Sequence, residues 1–157
     1  MESMIAKMVL FLLLLAVSLR SCGASFGYEP VTLEECGNNL PNFTSFNSSN
    51  CNARGECVAF MGRRLRLEFS AKNNNKYAVD VVVLVTIESL DRSHTQYFRA
   101  TCEDYNINFP CRAEPNQEIT GYMQIPLDKE YKEGAATFTV HAYSLACGRG
   151  RVYMKDM

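Results

Sequence analysis

The chain has 157 residues, a length that favours one domain, and its 47% hydrophobic residues are enough for a folded core. Only 21% of its residues are charged, which argues against a disordered acidic or basic tail. The formal net charge of −1 argues against nucleic acid as the main partner, because phosphate binding needs a clustered positive field.

The N-terminal segment has the order of regions found in a secretory signal peptide. Lys7 precedes an apolar run from Met8 to Leu19, and the small-residue stretch Cys22-Gly23-Ala24 follows. The apolar run is too short to span a bilayer comfortably, so a cleaved signal is favoured over a membrane anchor. We therefore expect residues 1–24 to be removed as a signal peptide, leaving one secreted domain of residues 25–157.

Cleavage after Ala24 would remove Cys22 and leave six of the seven cysteines. An even number of cysteines in a secreted chain predicts three disulfides, although composition alone does not choose their pairing. The six remaining cysteines are Cys36, Cys51, Cys57, Cys102, Cys111 and Cys147.

Two sequons support the same compartment. Asn42-Phe43-Thr44 and Asn47-Ser48-Ser49 fit the acceptor pattern for N-glycosylation in a polar, turn-rich stretch. We expect Asn42 and Asn47 to lie on exposed loops and to carry glycans.

The first two predicted strands have a hydrophobic period of two. Apolar and polar residues alternate from Leu65 to Ser70. The segment from Val79 to Ile87 has an apolar β-branched residue at every second position, and these residues share one face. The polar stretch from Lys72 to Lys76 lies between them and has the composition of a turn. The pattern predicts a hairpin with a short polar loop.

Two later strands are predicted, Ile119 to Ile125 and Ala136 to Ser144. In the second, Phe138, Val140 and Ala142 share a face. No helix is expected after the signal segment. Several short strands joined by turns predict a β-sandwich, with a closed barrel as the alternative.

Catalytic and metal-binding patterns are not evident. We expect His94 and His141 to be solvated, and no histidine or cysteine cluster has zinc-ligand spacing. The sequence has neither a Gly-x-Ser-x-Gly elbow nor a phosphate-binding loop. We therefore predict a protein that is not an enzyme and that has no metal or cofactor.

The cysteines and their neighbours carry the most specific signal. Cys36-Gly37 follows an acidic pair, and two close cysteine pairs come later in the chain. Beyond Cys111 stand Ile125-Pro126-Leu127 and then Tyr131. From about Leu33 to Cys147 this pattern resembles the ML (MD-2-related lipid-recognition) domain, in the branch of the Niemann-Pick type C2-like proteins, epididymal secretory proteins and group 2 mite allergens.

The resemblance implies an immunoglobulin-like β-sandwich of two antiparallel sheets with a lipid held between them. It implies the disulfides Cys36–Cys147, Cys51–Cys57 and Cys102–Cys111. It also implies a soluble, monomeric carrier of a sterol or fatty-acid-like lipid, secreted or in the endolysosomal lumen, that exchanges lipid with a membrane or a receptor. The alternative function is recognition of a lipid and its presentation to a receptor in innate immunity or chemosensing.

Candidate lipid-contacting residues come from two sources, and each could equally be an ordinary core residue. Leu127, Tyr131 and either Phe98 or Tyr97 fall where the family places lipid-contacting side chains. The inward strand faces add Leu67, Phe69, Val81, Val83, Val85, Met123, Phe138 and Val140.

One segment departs from the family pattern. The stretch from Phe138 to Cys147 is short, and Gly148-Arg149-Gly150-Arg151 follows it. We therefore expect a curtailed final hairpin, which would weaken the case for the Cys36–Cys147 bridge and for one edge of the pocket mouth.

Overall fold

The computed structural model describes residues 27–157, and this part of the chain forms strands and turns without a helix. The expected signal peptide, residues 1–24, lies outside the described residues. The strands are β1 (Glu29–Pro30), β2 (Glu34–Glu35), β3 (Ser45–Ser48), β4 (Val58–Phe60), β5 (Arg64–Lys72), β6 (Val79–Asp80), β7 (Val82–Ser89), β8 (Thr95–Thr101), β9 (Ile107–Asn108), β10 (Arg112–Ala113), β11 (Glu118–Pro126), β12 (Gly134–Ala142) and β13 (Ala146–Lys155).

The strands form an immunoglobulin-like β-sandwich. The first sheet has the order β1-β3-β5-β11-β9, and the second has the order β2-β13-β12-β7-β8. Pairing is antiparallel in both, except that β4 adds to β13 in parallel, and β6 and β10 form a separate small ladder. The two sheets are separate, which confirms the sandwich expected from the sequence rather than the closed barrel.

Alternation along the strands places the core as predicted. In β5 every second residue from Leu65 to Ala71 is buried. The apolar residues Val79, Val81, Val83, Val85 and Ile87 are also all buried. Because successive side chains in a strand point to opposite faces, this period alone determines which residues face the other sheet.

The predicted hairpin between Leu65–Ser70 and Val79–Ile87 is wrong. Strand β5 pairs with β3 and β11, whereas β7 pairs with β12 and β8 in the opposite sheet. The polar stretch therefore crosses between sheets, and the Asn73 amide stabilises the crossing by donating to the carbonyls of Tyr77 and Ala113 at 3.0 Å each. Both strands have one apolar face, and a crossover buries the two faces as well as a hairpin would.

The expected shortening of the last hairpin is also wrong. Strands β12 and β13 pair along their whole length, from Gly134 opposite Met154 to Ala142 opposite Ala146. The turn between them uses Ser144 in a left-handed conformation, with φ of 60°. Strand β13 begins with Ala146 and Cys147, so the long disulfide forms in a regular part of the sheet.

Three disulfides tie the sandwich together, and their pairing confirms the expectation from the resemblance: Cys36–Cys147, Cys51–Cys57 and Cys102–Cys111. Three disulfides are typical of a protein folded in an oxidising compartment. Among residues 27–157, no helix is long and apolar enough to cross a membrane.

Candidate functional site

The space between the two sheets is where the predicted lipid-contacting residues come together. Phe98 is half-buried and packs against the core, whereas Tyr97 is 71% exposed, so of the two aromatic candidates only Phe98 faces inward. The other candidates are buried: Leu67, Phe69, Val81, Val83, Val85, Met123, Leu127, Tyr131, Phe138 and Val140.

Strand register explains how these residues meet. On the second sheet, Val85 lies between Phe98 of β8 and Val140 of β12. On the first sheet, Met123 of β11 is directly opposite Leu67 of β5. Residues that are far apart in sequence thus form two apolar surfaces that face each other across the sandwich.

A cluster of phenylalanine rings joins the two surfaces. The ring of Phe46, on β3, stacks on Phe138, on β12, with centroids 6.0 Å apart. Phe43 lies 5.6 Å from Phe46 and 5.5 Å from Phe69, whose ring is 6.0 Å from that of Phe109. We call these five residues the phenylalanine cluster; it fills the interior between the sheets.

Three members of the cluster were not among the sequence candidates. Phe43 and Phe46 lie in the sequon-rich stretch that was interpreted as polar and turn-rich, and Phe109 precedes Pro110 in a cysteine-bounded loop. Each is a single aromatic residue among polar neighbours, without a periodic apolar pattern. Sequence periodicity therefore gave no signal that could have identified them as core residues.

The interior offers almost no polar group to a ligand. Among the described residues, the buried polar side chains are Ser48, Asn73 and Ser89. The Ser48 hydroxyl already donates to the Arg66 carbonyl at 2.8 Å, and Asn73 is occupied at the crossover. The contacts available between the sheets are therefore apolar and aromatic.

Tyr131 is buried and carries a hydroxyl group. It donates to the Ile87 carbonyl at 2.9 Å. Burial, with a smaller contribution from the Asp128 carboxylate, raises the pKa of Tyr131 well above its ordinary value. The phenol therefore stays protonated and acts as a hydrogen-bond donor that holds the connection between β11 and β12 against β7.

His94 packs against Tyr131, so the expectation that His94 is solvated is wrong. Its ring meets the tyrosine ring edge-on, with centroids 4.4 Å apart, and its side chain is only 18% exposed. Its Nε2 atom lies 3.0 Å from Asp128 Oδ2. His141 is half-buried on the face of β12 opposite to Phe138 and Val140, where its ring lies beside that of Tyr143.

Two cavities open at the surface of the described residues on the side of the first sheet. One, of about 360 Å³, runs along β1 and β3 and is lined in part by Leu33, Phe43 and Phe46. We call it the β3 groove. The other, of about 490 Å³, is lined mainly by polar and basic side chains, including Arg64 and Arg66.

The two sequon asparagines differ in their surroundings. Asn42 lies in a loop as expected but is half-buried, and its amide donates to the Leu33 carbonyl at 2.8 Å. Asn47 lies in strand β3 rather than in a loop, on the face opposite to the buried Phe46 and Ser48.

Among residues 27–157 there is no group of three or more histidine, cysteine or carboxylate side chains placed to hold a metal ion. The predictions that the protein is not an enzyme and has no metal or cofactor stay predictions.

The fold and the interior together define a disulfide-bonded β-sandwich with two apolar inner faces. The structure is similar to the crystal structure of a Niemann-Pick type C2 protein from Japanese carpenter ant, with a TM-score of 0.61 and 14% sequence identity. The similarity covers 79% of this chain and 99% of that one. At this identity the similarity shows a shared fold.

Other similarities are weaker. The DNA glycosylase AlkC of Pseudomonas fluorescens has a TM-score of 0.47, 11% identity and coverage of 62% of this chain and 27% of that chain. A family 123 glycoside hydrolase from Clostridium perfringens has a TM-score of 0.40, 12% identity and coverage of 64% and 22%. No protein-family model and no curated protein sequence matches this chain.

Proposed function

We propose that residues 25–157 form a single secreted domain that binds a sterol or fatty-acid-like lipid between its two sheets and transfers it. The observation that supports this most directly is the apolar interior, in which the two inner faces meet through aromatic rings rather than through polar groups. The fold shared with a protein named as Niemann-Pick type C2 supports the same proposal.

The energetics of such a site are favourable. Binding would rest on removing apolar area from water, at about 25 cal/mol per Å². Opening a space of roughly 300 Å³ between packed sheets would forfeit contacts worth several kcal/mol, at about 24 cal/mol per Å³ of cavity. A bound lipid replaces those contacts, and the disulfides keep the sandwich folded while the space opens.

The β3 groove is the proposed route of access. It reaches Phe46, which is 5% exposed and stacks on Phe138 inside the sandwich. Rotation of the Phe46 ring into the groove would open the interior without breaking a strand. The candidate lipid contacts then comprise the phenylalanine cluster together with the inward residues predicted from the sequence.

The disulfides support a protein that is secreted or lies in the endolysosomal lumen. The same proposal includes residues 1–24 as the signal peptide and glycans on Asn42 and Asn47. A carrier of this kind works as a monomer and delivers its ligand to a membrane or a receptor.

Lipid extraction and titration test the proposal together. Mass spectrometry of an organic extract of the purified protein should identify a co-purified lipid, and a fluorescent sterol or fatty acid should bind saturably at one site per chain. Phe46→Ala should change the affinity for the fluorescent lipid, because Phe46 lies at the proposed route of access. The matched variant Phe60→Ala should leave that affinity unchanged, because Phe60 is 41% exposed on β4. Absence of both co-purified lipid and saturable binding would sink the proposal.

A further inference from the structure

A second site lies on the outer surface of the first sheet, away from the apolar interior. The arginine cavity, of about 490 Å³, is lined by Ser49, Asn50, Arg63, Arg64, Arg66 and Gln124. We infer that this cavity binds a phosphate or sulfate group. The inference is independent of the proposed lipid site.

Strand geometry concentrates the positive charge. Arg64 and Arg66 are two residues apart on β5, so both point away from the core, where Leu65 and Leu67 are buried. Arg63 comes from the turn between β4 and β5, whose backbone closes with a hydrogen bond from the Arg63 amide to the Phe60 carbonyl. Three arginine residues thus border one concave space, and Arg63 donates from Nε to Met157 Sδ at 3.1 Å.

Neutral partners hold the cavity in shape without cancelling its charge. Arg64 donates from Nη1 to Gln124 Oε1 at 2.9 Å, and the Arg66 amide donates to Asn50 Oδ1 at 2.9 Å. Because Gln124 is uncharged, Arg64 keeps its full charge and its other donors. The aliphatic part of the Lys129 side chain passes over Gly62, which also lines the cavity.

Carboxylates do not line this cavity. Among the described residues, Arg92 pairs with Glu88 and Arg112 with Glu114, whereas none of the three cavity arginines has a carboxylate within 4.0 Å. The whole chain has a net charge of −1, so this concentration of cations is local. Planar guanidinium groups with several free donors match the oxygens of phosphate and sulfate and bind them in bidentate fashion.

The test is a titration with inorganic phosphate at constant ionic strength, followed by NMR of the arginine Nε–H groups. We expect saturable shifts of Arg63, Arg64 and Arg66. The double variant Arg64→Gln/Arg66→Gln should bind at least about tenfold more weakly, because each charge-assisted hydrogen bond contributes more than a neutral one. The matched control Arg92→Gln/Arg112→Gln removes the same charge and should bind phosphate like the unmodified protein.

A second arm distinguishes the source of the anion. Vesicles of phosphatidylglycerol are compared with vesicles of phosphatidylcholine, using the same variants. Binding of free phosphate alone indicates a soluble ligand, and arginine-dependent binding of phosphatidylglycerol alone indicates a lipid headgroup; either supports the inference. The inference is overturned if neither probe binds, or if the Arg64→Gln/Arg66→Gln variant binds both as well as the control variant does.

Discussion

Phe138 and Gly150 stand opposite each other on β12 and β13, and the phenyl ring lies directly on the glycine. A Cβ atom at position 150 would come within 3.0 Å of three ring carbons. Phe69 covers Gly121 in the same way on the first sheet. These two glycines let aromatic rings lie flat on the sheets, which is how the sandwich fills its interior.

Gly150→Ala should lower the free energy of unfolding by about 1–3 kcal/mol, because the added methyl group overpacks the core against Phe138. Urea denaturation measures the loss. Combining it with Phe138→Leu should give a non-additive result, since the smaller side chain relieves the clash. The neighbouring exposed variant Arg149→Ala should change stability by less than about 0.5 kcal/mol. Additive losses in the double variant would show that the ring and the glycine do not interact.

Tyr131→Phe should lower stability by about 1 kcal/mol, because it removes the buried hydrogen bond from the hydroxyl to the Ile87 carbonyl. Chemical denaturation gives the magnitude. The control is Tyr105→Phe, which removes a hydroxyl from a side chain that is 91% exposed. Equal stability of the two variants would contradict a structural role for the Tyr131 hydroxyl.

The disulfides should differ in their contribution to stability. The Cys36–Cys147 bridge closes a loop with a sequence separation of 111, and its loss through paired Cys→Ser changes should cost about 4–5 kcal/mol on the chain-entropy model. Loss of Cys51–Cys57, with a separation of 6, should cost about 2 kcal/mol. Unfolding of the two double variants by guanidinium tests the order, and a larger loss from the short loop would contradict it.

Asp104 should make stability depend on pH in the acid range. Its Oδ2 atom accepts hydrogen bonds from the Thr101 amide at 2.6 Å and hydroxyl at 2.9 Å, which hold the pKa of Asp104 below its ordinary value of 3.8. A lowered folded-state pKa stabilises the fold above pH 3.8, and this contribution is lost as the pH falls through the folded-state pKa.

The difference in free energy of unfolding between the protein and its Asp104→Asn variant should therefore be largest near neutral pH. It should shrink as the pH falls below 3.8. Denaturation at a series of pH values measures it, with NMR titration of the Asp104 carboxyl carbon as an independent check. A difference that stays constant through the acid range would exclude this linkage.

Glycan occupancy should be higher at Asn47 than at Asn42. Both asparagines are half-buried, but the Asn47 side chain points outward from β3, whereas the amide of Asn42 donates to the Leu33 carbonyl. Glycopeptide mass spectrometry after secretion from a eukaryotic host gives both occupancies. The variants Asn42→Gln and Asn47→Gln are the matched controls, since each removes one glycan acceptor. Higher occupancy at Asn42 than at Asn47 would contradict the prediction.

The sequence was most informative where apolar residues alternate. From Leu65 to Ser70 it predicted a strand and its buried face, because a period of two depends only on local backbone geometry. From Val79 to Ile87 it predicted the buried face, but the structure divides this segment into β6 and β7. The cysteine order, through its resemblance to a family, predicted all three disulfides.

The prediction was wrong where the same local pattern fits two tertiary arrangements. Strands β5 and β7 are separated in sequence only by the two-residue β6, yet they lie in opposite sheets. The alternation of apolar residues does not decide between this arrangement and a hairpin, because either one buries the apolar faces. The stretch that contains Gly148 and Gly150 led us to expect a curtailed final hairpin, but the contacts that require these glycines in β13 come from Leu33 and Phe138.

By itself, the sequence determined the class of fold, the oxidised cysteine framework and the inward residues of the long strands, since these follow from local periodicity and cysteine order. Only the tertiary structure decided strand pairing, the position of Phe46 against Phe138 and the grouping of Arg63, Arg64 and Arg66 around one cavity. The physical reason is that these features depend on contacts between segments remote in sequence, whose energies are set by shape and charge once the chain is folded.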